Sequence, residues 1–114
     1  MKKIAMLIAL TSCMAAAHAA GDIGQGKALV DKYACAKCHG ADFNSPTEPA
    51  YPRLAGQHED YLRHALIAYK RGNAGMNGRT NAIMADQAKP LSHKDIDDIA
   101  AYLHSLPGAL VLRK

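Results

Sequence analysis

The sequence predicts a small all-α domain built around a bound group. Apolar residues recur at helical spacing in three segments, and no segment alternates in the manner of a strand. The chain is also short of large side chains, with one Phe and no Trp against nine Gly in 114 residues. A domain of this size has difficulty filling a core from its own side chains, and exported domains usually meet the difficulty with disulfides or metals.

The first 19 residues read as a leader. Lys2 and Lys3 precede the apolar run Ile4 to Leu10, and small residues lead to Ala17-His18-Ala19, an A-x-A cleavage pattern. The run is shorter than the roughly 20 residues that span a bilayer. Residues 1–19 are therefore expected to be removed and residues 20–114 to form one exported domain. Leu10-Thr11-Ser12-Cys13 also resembles a lipobox, which makes a lipid anchor at Cys13 the alternative. Of the 14 Lys and Arg, two belong to this leader, leaving a surplus of two over the 10 Asp and Glu. That balance, with no basic run and no basic stripe interleaved with aromatics, excludes a nucleic-acid binder and predicts weak ionic steering.

The first helix is expected from Asp22, its N-cap, to Ala34, with Gly26 and Val30, and Leu29 and Tyr33, four apart on one face. Gly24 and Gly26 each cost about 1 kcal/mol in a helix, and a close crossing at Gly26 would explain one of them. A loop rich in Pro and small residues runs from Gly40 to Gln57. The second helix covers His58 to Arg71: Tyr61, Leu62, Ala65, Leu66 and Tyr69 form its stripe, Glu59 and Asp60 suit its positive end, and Gly72 stops it. Gly72 to Pro90 reads as a second loop. The third helix starts at Ser92, with Asp95 completing a capping box and Leu91 and Ile96 in the staple positions, and it ends before Pro107.

Cys35-Ala36-Lys37-Cys38-His39 carries the chemistry. A thioredoxin-like dithiol needs its CxxC at the start of a helix behind a strand, and no strand precedes it here. A structural zinc site needs four ligands, and no second CxxC or HxxxH exists, though His58, His64 and His93 are potential recruits. C-x-x-C-H is the attachment signature of c-type haem: one helical turn brings two thiols to one side of the backbone, and the following His lies under the iron. Haem also supplies the missing apolar mass. This reading takes precedence, with Cys35 and Cys38 as the covalent links and His39 as an axial ligand. For the sixth position the residues alone leave Met76, Met84, His58, His64, His93 and His104. The four histidines lie on or beside charged helical stretches and are expected to face solvent, and Met76 sits in a glycine-rich loop.

Three segments carry a resemblance: Cys35-Ala36-Lys37-Cys38-His39-Gly40, "YPRLAGQ" at 51–57, and "NAIMADQAKPLSHKDIDDIAAYLHSL" at 81–106. Together they resemble the class I c-type cytochromes, and are most similar to one half of the di-haem bacterial cytochromes of the c-four type. The resemblance implies three to five helices wrapped around one covalent haem c, with the N- and C-terminal helices crossing at Gly26 and Tyr102. It implies Met84 as the distal ligand. It further implies that the Pro52 carbonyl accepts a hydrogen bond from His39 Nδ1 and that Leu54 packs on the haem. Arg53, beside Pro52, is a candidate partner for a haem propionate. Lys37 is a candidate contact for an acidic partner.

The function implied is carriage of single electrons in the periplasm, without enzymatic activity, between donor and acceptor proteins such as a membrane oxidase or a periplasmic dehydrogenase. The carrier is expected as a monomer or weak dimer. Two alternatives stand beside it: a gas sensor or peroxidase with an open sixth site, and a permanently bound subunit of a dehydrogenase or oxidase. Exposed Tyr51, Tyr61 or Tyr69 would serve as interface residues in the second. The di-haem relatives hold two such units where this chain has one CxxCH, and a partner or a homodimer would take the place of the second haem.

Overall fold

The computed structural model describes residues 20–73 and 77–109. Among them lie five helices and no strand: α1 Ile23–Lys32, α2 Ala36–His39, α3 Glu59–Arg71, α4 Ala82–Ala88 and α5 His93–Ser105. The leader, Cys13 and Met76 fall outside the described residues.

Asp22 caps α1 as expected, its side chain accepting from the Gln25 N–H at 2.8 Å. The helix ends two residues early, however. Tyr33 caps it, and Ala34 takes a left-handed φ of 53° that no helix interior accepts. The chain turns there, so the cysteines do not end a long helix. They sit instead on the separate single turn of α2, with Cys35 N–H donating back to Val30 O at 3.0 Å.

α1 and α5 cross at Gly26, which is buried. A Cβ at this position would collide with the Asp98 carbonyl and lie 2.7 Å from Tyr102 Cβ. The missing side chain lets the two backbones approach, which accounts for a residue that weakens the helix locally. Tyr102 then meets Phe43 edge-on at 6.2 Å, joining the first loop to the crossing. Beside it Asp98 is buried, and its Oδ1 accepts the Asp22 backbone N–H at 2.7 Å while Lys94 Nζ donates to the same carboxylate. One carboxylate thus ties the first turn of α1 to the middle of α5.

The start of α5 carries the reciprocal capping box of Ser92 and Asp95, a feature worth about 1 kcal/mol. Leu91 and Ile96 are both buried. They join Val30, Leu62, Ile99, Ala100 and Leu103 in a single core cluster, with Phe43 against it. The 40–57 loop is pinned by the Phe43 carbonyl, which accepts from Leu54 and Ala55 N–H, and by Gly56 N–H donating to Leu103 O at 2.9 Å.

The second loop is not wholly a loop. Ala82–Ala88 is helical, with the Asn81 side chain accepting from Met84 N–H at 3.0 Å. α4 packs on α3, and Lys70 Nζ reaches from α3 to the carbonyls of Lys89 and Leu91 just beyond it.

Candidate functional site

A cavity of about 440 Å³ opens between α2, the 40–57 loop, α3 and α4, within the range of roughly 300–1,000 Å³ usual for ligand pockets. Its floor is formed by Leu91, Ile99 and Leu103, which the α5 stripe turns inward. Tyr61, Leu62, Ala65, Leu66 and Tyr69 all line one wall, so the stripe read from α3 faces this space. Cys35, Cys38 and His39 line the opposite wall, and Met84 lines the side formed by α4. Pro52, Arg53 and Leu54 complete the rim.

The geometry of His39 is fixed from behind. The residue is 5% exposed, and its Nδ1 stands 2.9 Å from the Pro52 carbonyl oxygen. A carbonyl only accepts, so Nδ1 carries the proton and Nε2 is left with a free lone pair. Tyr51 packs at a tilt 6.5 Å from the imidazole. Both cysteines are free and half-buried. Burial pushes the Cys35 thiol up from its ordinary range, so it is a neutral thiol at physiological pH. The predicted residues are therefore brought to one cavity. His58, His64, His93 and His104 are all exposed, as expected, and none of them lines it.

Two features were not read from the sequence. His104 Nδ1 lies 2.8 Å from the Gln57 carbonyl, fastening the end of α5 to the first loop. Arg79 lies on the cavity wall with its guanidinium over the rings of Tyr61 and Tyr69.

The donor set suits one kind of occupant. Two thiols one helical turn apart, a buried imidazole presenting Nε2 and a thioether line a space walled by aliphatic side chains. That set fits an apolar planar macrocycle with iron at its centre. The family comparison agrees: residues 23–107 match the cytochrome c family model. The chain belongs to the cytochrome c family. It is accordingly a c-type cytochrome, and its haem is the covalently attached haem c of that family.

Among curated relatives, cytochrome c4 of Stutzerimonas stutzeri is 42% identical over 118 residues, covering 96% of this chain and 53% of the relative. Cytochrome c-554(547) of Halothiobacillus neapolitanus is 37% identical over 93 residues, covering 76% of this chain and 99% of that protein. The crystal structure of reduced recombinant cytochrome c4 from Pseudomonas stutzeri superposes with a TM-score of 0.70 at 40% identity. It covers 80% of this chain and 48% of the other. This cytochrome thus spans about half the length of its cytochrome c4 relatives and nearly all of the c-554(547) chain.

Proposed function

We propose that this cytochrome is a periplasmic monohaem electron carrier with His39 and Met84 as its axial iron ligands. The observation that carries the reading is the one cavity on which Cys35, Cys38, His39 and Met84 all open, walled by aliphatic and tyrosine side chains with no carboxylate among its lining residues. Cys35 and Cys38 would hold the group by thioether links, and His39 Nε2 and the Met84 sulfur would hold the iron from two sides. Haem bound in this way supplies one-electron exchange between ferric and ferrous states.

The surrounding residues keep that exchange simple. The Pro52 carbonyl fixes the His39 tautomer and makes the imidazole a stronger ligand. Asn81 caps the helix that carries Met84, so the thioether is delivered by an ordered element rather than a loop. Leu62, Leu91, Ile99 and Leu103 exclude water, which together with a thioether ligand favours a higher potential. Beyond the two cysteines and His39, the ionisable side chains lining the cavity are the tyrosines, Lys37, Arg53 and Arg79, with no carboxylate. The mouth carries Lys37, Arg53 and Arg79 without a carboxylate, which suits approach by redox proteins with an acidic contact face. Export through a cleaved leader, residues 1–19, is part of this proposal.

The test is the far-red absorption of the ferric protein matured with haem. A weak sulfur-to-iron charge-transfer band, lost in Met84→Ala, is the expected result. A spectrum lacking the band in the native protein, with ready carbon monoxide binding after reduction, would replace the carrier by the sensor or peroxidase.

A further inference from the structure

Haem brings two carboxylates as well as an apolar ring, and a carboxylate at the edge of an apolar cavity is costly unless it is paired. The cavity offers three cations, Lys37, Arg53 and Arg79, and they are not equivalent. Lys37 and Arg53 are exposed. Arg79 is half-buried and held in place on several sides. Its backbone N–H donates to Ala68 O at 3.0 Å, and its Nη2 donates to Tyr61 Oη at 3.3 Å. Its guanidinium carbon stands 5.5 Å from the Tyr61 ring centre and 5.3 Å from that of Tyr69. Those two tyrosines are two helical turns apart on the α3 face that lines the cavity.

Among the described residues Arg79 also has no counter-ion of its own. All ten Asp and Glu side chains fall within the described residues, and the cations they pair with are Lys27, Arg63 and Lys94. A guanidinium presents five donors in a planar fork that matches a carboxylate in two-point contact. Here the fork is already immobilised against aromatic faces, so little side-chain freedom remains to be lost when an anion arrives.

We infer that Arg79, rather than Arg53, binds a propionate of the haem, with Tyr61 and Tyr69 as the platform that aims it. The inference rests on the haem cavity proposed above. It makes α3 and the segment after Gly78 one anion-binding unit and assigns the Tyr stripe a role beyond core filling. The other ionisable side chains facing the cavity are Tyr33, Tyr51, Lys37, Arg53, His39, Cys35 and Cys38. His39 Nδ1 is committed to the Pro52 carbonyl.

The experiment uses the haem-loaded full chain and its Arg79→Gln and Arg53→Gln variants. Proton NMR follows the pH midpoint of each haem propionate, and the far-red band monitors Met84 ligation separately. Arg79→Gln is expected to raise one propionate midpoint by a unit or more, a tenfold loss of proton-release tendency, with the far-red band retained. Arg53→Gln is expected to leave the midpoints in place. Retained ligation with a midpoint moved by Arg53→Gln alone, or by neither variant, overturns the inference while leaving the carrier reading standing. Should Arg79→Gln not mature, the native protein decides: nuclear Overhauser contacts from the Arg79 side chain to a propionate methylene are expected. Contacts from Arg53 in their place would refute it.

Discussion

His39 Nδ1 and the Pro52 carbonyl oxygen, thirteen residues apart in sequence, face each other at 2.9 Å across the proximal side of the cavity. The bond is part-buried, and the carbonyl belongs to a loop pinned to α5 through Gly56 and Leu103. The orientation of the His39 imidazole on α2 therefore depends on a peptide group positioned by the C-terminal helix. In the haem-loaded protein the His39 Nδ1–H resonance is expected to exchange slowly with deuterated solvent. Pro52→Gly, which frees the carbonyl to move, should speed that exchange by up to about tenfold, the worth of a hydrogen bond of about 1 kcal/mol or slightly more. Equal rates in both proteins would show that the bond does not hold the ring.

At the helix crossing, Gly26→Ala places a methyl against the Asp98 carbonyl. Backbone cannot rotate away as a side-chain tip does, so the helices must separate. The expected loss is about 2–3 kcal/mol, read as a lowered denaturant midpoint with little change in haem absorption.

Asp98 predicts the acid limit of stability. Burial pushes its carboxyl up, but the Asp22 N–H and the Lys94 ammonium outweigh this and hold it below the ordinary carboxylate range. A folded-state value below the unfolded one gives stability that is present above about pH 4 and lost as pH falls through the folded value. Asp98→Ala should cost about 1.5–3 kcal/mol near neutrality and flatten the acid limb of stability below the ordinary carboxylate range. Denaturant titrations at several pH values check both effects, and a parallel acid limb in the variant would count against Asp98.

The Asn81 cap links helix stability to ligation. Asn81→Ala removes the acceptor for Met84 N–H and costs α4 about 1 kcal/mol. If Met84 is the sixth ligand, it competes less well with an added one by that amount. The apparent affinity of the ferric protein for imidazole should rise roughly fivefold, measured by optical titration.

Much of the fold was legible because its signals were periodic or chemical. The α3 and α5 stripes, the Ser92–Asp95 box and the CxxCH spacing all rest on local rules, and each lies where those rules put it. The end of α1 was misjudged because a left-handed Ala34 has no sequence mark: alanine is a strong helix former, and tertiary demand alone turns the chain there. α4 was missed because seven residues are too few for a stripe and the flanking Gly and Asn residues read as loop. Asn81, three residues before Met84, was the available signal. The placement of Arg79 leaves no mark in the sequence, because the tyrosine platform exists only once α3 is folded.

The contact of Gly26 with Asp98 and Tyr102 closes nearly the whole domain into one loop, a closure whose entropic cost grows only slowly with its length. Until α5 arrives, Ile99 and Leu103 are not in place, and the segment bearing Cys35, Cys38 and His39 has no floor beneath it. Without α5, then, Cys35, Cys38 and His39 stand on an open surface rather than in an enclosed cavity.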